Sequence, residues 1–158
     1  MDEFDWKIIG ALQQNGRLTN QELSQRVGLS PSPCLRRVRN LEKSGILFGY
    51  RALVDPGKIG LSINVFVSIR LERQTDASIR AFEKAIQDLD EVQECYLMTG
   101  DHDYLLRVVS QSMQDYERFI RDRLTRIDGI ALIESSFAFN QVKKHPRLPK
   151  PAFSGEKS

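Results

Sequence analysis

Hydrophobic residues in the first third of the chain recur at helical spacing in three short segments. The first segment follows an acidic N-cap, Asp2. Its apolar face consists of Phe4, Ile8, Ile9 and Leu12. The second begins with a capping box in which Thr19 and Glu22 satisfy each other's backbone amides, and it ends at Gly28. These patterns predict two helices, with a tight glycine turn before a third.

The third helix is predicted to begin at Ser30 as N-cap, with Pro31 at the first helical position, where a missing amide costs nothing. Its apolar stripe is Leu35, Val38 and Leu41, with Cys34 beside it. At 100° per residue the opposite face is Ser32, Arg36, Arg39, Asn40 and Lys43, with Arg37 on the flank. A short capped helix, a glycine turn and an arginine-rich second helix are typical of a helix-turn-helix.

The second helix of such a motif enters the major groove of DNA with its N-terminal half against base edges. Ser32 and Arg36 are the predicted base contacts, because arginine grips guanine through two hydrogen bonds. Arg37, Arg39 and Lys43 are predicted to hold phosphates. The other residues expected at the DNA interface are Asn20, Gln21, Ser30 and Asn40. From the residues alone, a basic and solvated helix face is the alternative.

Alternating apolar positions in residues 46–60 predict a strand that leaves the helical domain, followed by a turn and a domain boundary near residue 60. From residue 62 the alternation is strict. The predicted inward face is Ile63, Val65, Val67, Ile69 and Leu71. A helical pattern over 79–89 comes next, and strands are predicted at 92–99 and 104–109.

A second capped helix is predicted from Ser112 to Ile127, and the sequence LIESSFAF closes the domain as a strand. The order strand, helix, strand, strand, helix, strand predicts an α+β, ferredoxin-like domain with both helices on one face of an antiparallel sheet. Phe66 and Tyr96 would then lie on the uncovered face. Sheets with such a face commonly dimerise through it, so we expect a homodimer.

The distribution of charge along the chain indicates that its two domains have different partners. Residues 1–60 carry nine basic and six acidic side chains, residues 61–140 nine and fourteen, and residues 141–158 five and one. A basic first domain favours a polyanionic partner. Two distant cysteines, Cys34 and Cys95, an acidic N-terminus and no apolar run of about 20 residues favour a cytoplasmic protein without a membrane span. The basic tail, 143–158, is expected to have little order.

The sequence TGDHDYLL, residues 99–106, places His102 between Asp101 and Asp103. A metal site is disfavoured because adjacent side chains on an extended chain alternate sides, and the other histidine, His145, lies in a basic tail. A catalytic acid–base pair is disfavoured because no nucleophile or phosphate-binding glycine loop accompanies it. An acidic turn remains an alternative at this point.

The sequences LSPSPCLRRVRNLEKSGIL and ECYLMTGDHDYLLRV together resemble the Lrp/AsnC, or feast/famine, family of transcription regulators. The resemblance runs from Phe4 to about Leu148. It implies an N-terminal helix-turn-helix (1–60, winged-helix-like) joined to a ferredoxin-like effector domain (61–142) called RAM. It also implies sequence-specific binding of double-stranded DNA, homodimers that assemble to octamers, no enzymatic activity, and no cofactor beyond an amino-acid effector bound between subunits.

The resemblance implies that the effector contacts the loop at 100–104, the last strand and the start of the second effector-domain helix. The expected effector-binding residues are Met98, Thr99, Gly100, Asp101, His102, Asp103, Tyr104, Met113, Ser135, Ser136 and Phe137. Backbone amides near Gly100 suit the carboxylate of an amino acid, and Asp103 or Asp101 suits its ammonium. His102 departs from the family's commoner aromatic or apolar residue.

Two alternatives to an effector-responsive regulator remain on sequence grounds. One is an architectural DNA-binding protein that needs no effector. The other is an enzyme similar to haem-pathway decarboxylases, which resemble this family and use histidines near the effector pocket. The complete arginine-rich helix and the single histidine in the loop, His102, disfavour the enzyme.

Overall fold

The computed structural model describes residues 1–143 and 147–151. The chain divides into two compact units. One contains residues 1–53 together with the chain from Val142 onward, and the other is Val54–Gln141. The division thus falls after Leu53, earlier than the expected boundary near residue 60, and the described part of the tail belongs with the N-terminal unit.

The N-terminal unit is a three-helix domain with α1 at Glu3–Gln14, α2 at Asn20–Val27 and α3 at Pro31–Lys43. The predicted caps are confirmed: Asp2 and Thr19 each complete a capping box, and Gly28 ends α2 in the left-handed region with φ of 75°. The three helices share one hydrophobic core, formed by Ile8, Ile9, Ala11, Leu12, Leu23, Val27, Cys34 and Leu41. This unit has the predicted helix-turn-helix arrangement.

Two details of α3 differ from the sequence prediction. Cys34 is fully buried, whereas Leu35 is 37% exposed, so Cys34 rather than Leu35 completes the inward stripe with Val38 and Leu41. Ser30 occupies the N-cap position, but its side chain caps no amide. The exchange of Leu35 for Cys34 arises because packing against α1 and α2 decides the rotation of a short helix, and periodicity fixes that rotation only approximately.

The prediction of a strand within residues 46–60 is wrong. These residues form a bend, a segment without regular secondary structure and then a short 3-10 helix at Pro56–Ile59. The alternating apolar side chains are largely exposed, with Phe48 88% and Val54 60% accessible. A strand needs a neighbouring strand to satisfy its backbone groups. No strand pairs with this segment in the described residues, so the alternation alone does not produce one.

The second unit contains the predicted ferredoxin-like order of elements. The elements are β1 at Ile63–Leu71, α4 at Asp76–Gln87, β2 at Val92–Leu97, β3 at Tyr104–Ser110, α5 at Met113–Asp122 and β4 at Ile130–Phe137. The sheet is antiparallel with strand order β2-β3-β1-β4. β1 therefore lies in the interior of the sheet, and β2 and β4 form its two edges.

Strict alternation along β1 matches the burial of its side chains, since Val65, Val67 and Ile69 are fully buried. They pack under α4 and α5 in a core that includes Phe82 and Tyr104, whose ring centroids lie 4.5 Å apart. The α5 helix ends at Asp122, earlier than the predicted Ile127. The apolar stripe continues through a 3-10 turn at Leu124–Arg126, because Leu124 remains in the core after the α-helix has ended.

Among the residues that the structure describes, no helix packs on the second face of the sheet, as the sequence predicted. Phe66 on β1 is 37% exposed and Tyr96 on β2 is 53% exposed. Arg107 on β3 bridges the same face, donating to the side chains of Asn64 and Glu94. This uncovered face is therefore mixed, with aromatic rings beside a charged pair.

Among the described residues, no helix has the length and apolar character that a membrane crossing requires.

Candidate DNA-binding surface and ligand-binding site

The outer face of α3 is exposed and basic. All of the side chains predicted to face away from the core are exposed: Ser32, Arg36, Arg39, Asn40 and Lys43. Gln21 and Ser30 are exposed as well. Leu35 lies at the margin of this surface, three residues after Ser32, and sequence analysis had assigned it to the core. An exposed leucine there adds an apolar contact that suits a thymine methyl group.

Two residues predicted to contact DNA have partners within the protein. The Asn20 amide donates to the carbonyl of Pro31 at 2.9 Å and so joins α2 to the start of α3. Arg37 forms ion pairs with Asp2 and Asp5, each at 2.8 Å, and its guanidinium lies 5.6 Å from the centre of the Phe4 ring. The structure thus places Arg37 in a clamp between α3 and the first turn of α1. A phosphate contact stays a prediction for Arg39 and Lys43.

Replacing Arg37 by alanine is expected to destabilise the N-terminal unit measurably, because the Asp5 side chain is largely buried and would lose its partner. Denaturant titration measures the loss, and Arg36→Ala is the matched control, since Arg36 is exposed and one residue away. A double-mutant cycle with Asp5→Asn should show coupling. If Arg37→Ala leaves stability unchanged and reduces the salt dependence of DNA binding, Arg37 contacts a phosphate as the sequence predicted.

The same clamp has a pH dependence. Folding lowers the pKa of Asp2, chiefly through the amide of Asp5 and further through Arg37. A carboxylate with a lowered pKa stabilises the fold above its unfolded pKa of about 4, and this contribution is lost as the pH falls. The clamp is therefore intact at neutral pH.

The predicted effector loop joins β2 to β3, and Asp103 connects it to the end of β1. The Asp103 amide donates to the carbonyl of Ile69 at 2.8 Å, and its carbonyl accepts from the amide of Met98 at 2.8 Å. Its carboxylate accepts from the amide of Leu71 at 2.7 Å and from the side-chain amide of Gln74 at 2.6 Å. Asp103 therefore has a structural role whether or not a ligand binds.

A cavity of about 300 Å³, which we call the loop cavity, opens beside Asp103. Five of the predicted effector residues line it: Met98, Thr99, Gly100, Asp103 and Tyr104. Gly100 has φ of 115°, a conformation that favours glycine and turns its peptide groups away from the regular strand. The Tyr104 hydroxyl donates to Glu83. Burial first, and then this hydrogen bond, raises the pKa of Tyr104 to about 12, so its hydroxyl stays neutral.

Other predicted effector residues lie in a second concavity, which we call the α5–β4 groove. It has a volume of about 510 Å³ and includes Met113, Ser135 and Phe137. Its floor contains Tyr116, whose ring meets Phe137 edge-on at 5.3 Å and whose hydroxyl hydrogen-bonds with Ser135. Met113 is 51% exposed. The groove thus offers an apolar wall, and its two charged lining residues, Glu117 and Arg121, form an ion pair with each other.

The structure does not bring all the predicted effector residues into one cavity. The loop cavity borders β2, the groove borders β4, and these strands are opposite edges of the sheet. His102 lies in neither set of lining residues and is paired with Glu134. Asp101 and Ser136 are exposed and line neither cavity. Within one chain the predicted effector residues are thus divided between two concavities, because the strands that carry them lie at opposite edges of the sheet.

Sequence analysis missed several residues that line these cavities. Gln74 and Ile79 form the wall of the loop cavity opposite the glycine turn. Gln114 and Ile120 lie along the groove. Ile79 and Ile120 belong to the predicted helical stripes, but nothing in the sequence indicates that Gln74 reaches Asp103 from 29 residues away.

Among the described residues, no group of three or more His, Cys, Asp or Glu side chains is placed to hold a metal ion.

An exposed basic helix in a helix-turn-helix unit, joined to an α/β unit with a small cavity, defines a DNA-binding regulator with a ligand-binding domain. Comparison with known families agrees with this class. Residues 1–47 match the family model for winged helix-turn-helix DNA-binding domains. Residues 64–148 match the model for the Lrp/AsnC ligand-binding domain.

Relatives extend the similarity over nearly the whole chain. The leucine-responsive regulatory proteins of Klebsiella pneumoniae and Escherichia coli K12 are each 42% identical over 148 residues, 94% of this chain and 90% of theirs. A transcriptional regulator from Neisseria meningitidis, solved as a complex with L-Met, has a TM-score of 0.90 and 39% identity, covering 94% of this chain and 96% of its own. Escherichia coli AsnC has a TM-score of 0.84 at 27% identity, covering 96% of this chain and 99% of its own. The chain belongs to the Lrp/AsnC family of transcription regulators.

Proposed function

We propose that this regulator binds operator DNA through α3 and senses an amino acid through the loop cavity. The observation that carries the proposal is the joint placement of Gly100 and Asp103 on one cavity of about 300 Å³. A glycine turn gives a ligand carboxylate close access to backbone amides, and an aspartate gives an ammonium group a charged acceptor. The Neisseria relative, which was solved with L-Met, supports an amino acid as the ligand class.

The size of the cavity and its lining favour an amino acid with an apolar side chain. Leu97, Met98 and Ile79 supply the apolar part of the wall, whereas the polar groups lie near Asp103. A zwitterion fixed at the polar end would therefore place its side chain against aliphatic and thioether groups. Methionine and leucine are the first candidates.

A thermal-shift screen against the twenty amino acids tests this proposal. A ligand at about 100 times its dissociation constant stabilises the fold by ~2.7 kcal/mol. For a chain of this size that stabilisation raises the melting temperature by several degrees. We expect methionine or leucine to give the largest shift. If no amino acid raises the melting temperature at millimolar concentration, the protein is an effector-independent DNA-binding protein.

Ligand binding and DNA binding are coupled in this proposal. Coupling free energies between two sites are typically ~1–3 kcal/mol, a several-fold to roughly hundred-fold change in affinity. We propose that the ligand acts by changing the oligomer or the spacing of two recognition helices, which in a symmetric dimer lie about 34 Å apart or a multiple of it. DNA affinity measured with and without the ligand tests this coupling.

We further propose a homodimer through the uncovered sheet face, with dimers assembling to an octamer. Phe66 and Tyr96 supply exposed aromatic surface on that face, and such patches mark interfaces. The regulator is proposed to act in the cytoplasm without catalytic activity or a cofactor other than its effector.

Phe66→Asp is expected to convert the dimer to a monomer at micromolar concentration, because the interface would lose an aromatic side chain and would have to bury an added carboxylate. Light scattering during size-exclusion chromatography measures the mass. Phe139→Asp is the matched control, since Phe139 is fully exposed and lies beyond β4. A dimer that survives Phe66→Asp would place the interface elsewhere.

A further inference from the structure

The described end of the chain, Arg147–Pro151, belongs to the same compact unit as helices α1, α2 and α3. This segment and α1 together enclose a recess of about 210 Å³. The recess is lined by Trp6 and Gly10 of the helix and by Arg147 and Leu148 of the segment. The expectation of a tail with little order therefore does not describe this stretch.

Gly10 has no conformational reason to be a glycine. It lies in the interior of α1, and it is not among the residues with positive φ. A glycine in the interior of a helix makes the helix less stable than an alanine at the same position does. A Cβ atom at position 10, however, would lie 2.9 Å from Nη2 and 3.3 Å from Cζ of Arg147. The glycine is therefore explained by the close approach of the guanidinium to the helix backbone.

The segment that meets α1 is basic and rich in proline. The pKa of Glu3 is lowered mainly by its ion pair with Lys7, and the charge of Lys150 lowers it further. The segment also contains Pro149 and Pro151, which limit its freedom before it docks. A short, basic and stiff peptide thus meets a face of α1 on which Glu3 and Lys7 are paired and Gly10 leaves room for the Arg147 side chain.

We propose that the outer face of α1 is a docking surface for the chain's own C-terminal segment, with Arg147 held over Gly10. The docked segment is then a fourth element of the DNA-binding unit and stabilises it. Because this segment follows β4, the strand that carries Ser135 and Phe137, it gives the ligand-binding domain a second covalent connection to the DNA-binding unit.

Trp6 provides a direct probe, because it is the only tryptophan of the chain and lines the recess. In the full-length protein, Arg147→Ala and Gly10→Ala are each expected to shift Trp6 emission to longer wavelength and to increase its quenching by acrylamide. Gly49→Ala is the control, since it lies in the same unit and its Cβ would meet nothing within 4 Å. Unchanged emission and quenching in both variants would overturn the proposal.

A double-mutant cycle followed by Trp6 fluorescence during melting separates docking from a local effect on α1. In the Arg147→Ala background, Gly10→Ala is expected to raise the melting temperature of the unit by a few degrees, because alanine favours the helix. In the wild-type background that gain should be absent, since the new methyl group displaces the guanidinium. An equal gain in both backgrounds would show that the two residues are independent and would contradict the docking.

Discussion

Arg36→Ala is expected to lower the affinity for the specific operator by about 1–3 kcal/mol, roughly 5- to 150-fold, and to relax the preference at one base pair. The side chain is exposed on the second turn of α3, where a recognition helix meets base edges. Arginine pairs with guanine through two hydrogen bonds, and alanine supplies neither. Selection from random DNA, followed by affinity measurements at fixed salt, gives the specific and non-specific affinities.

Arg39→Ala is the informative comparison, because a phosphate contact carries no sequence information. It should weaken binding to specific and random DNA alike and reduce the salt slope by about one. Arg17→Ala, an exposed change in the same unit outside α3, should have little effect on either. Equal losses on specific and random DNA for both Arg36→Ala and Arg39→Ala would contradict the division between base and phosphate contacts.

Asp103→Asn is expected to reduce ligand affinity by roughly tenfold to a hundredfold while the fold remains close to wild-type stability. Hydrogen bonds to charged groups contribute about 1.5–3 kcal/mol, and asparagine removes the charge that an ammonium group would meet. The carboxamide oxygen can still accept from the amide of Leu71, and its nitrogen can donate to a reoriented Gln74. Calorimetric titration with the ligand and denaturant titration without it measure the two quantities.

Asp103→Ala should lower both the ligand affinity and the stability of the fold. It leaves the amide of Leu71, a buried residue, without its acceptor, at a cost of about 1–3 kcal/mol in stability. The alanine variant alone would therefore not distinguish a ligand contact from a structural one. Asp101→Asn is the matched change two residues earlier on the same loop. If Asp101→Asn weakens binding and Asp103→Asn does not, the ammonium lies on Asp101 instead.

Local patterns were sufficient wherever neighbouring residues decide the structure. The capping boxes at Asp2 and Thr19 and the left-handed turn at Gly28 involve contacts of a few residues, and all three were predictable. Strict alternation along β1 likewise identified its buried face, because an interior strand under two helices has one hydrophobic side. The two domains and their family could be recognised from the motifs alone.

Patterns were insufficient where the outcome depends on a distant partner. The alternation in residues 46–60 had the composition of a strand, but no strand pairs with it in the described residues. Arg37 belongs to the basic helix by sequence, yet two carboxylates of α1, more than thirty residues away, take its charge. Leu35 and Cys34 exchanged their expected places because packing set the rotation of α3.

By itself the sequence determined the caps of α1 and α2, the buried face of β1, the order of elements in the second unit and a basic α3, since these follow from residue type and short-range spacing. Only the tertiary structure decided how side chains far apart in sequence meet. It connected Asp103 to Leu71 and Gln74, divided the predicted effector residues between two cavities, and placed Arg147 over Gly10. The physical reason is that hydrogen bonds, ion pairs and close packing act through space, and the fold alone sets those distances.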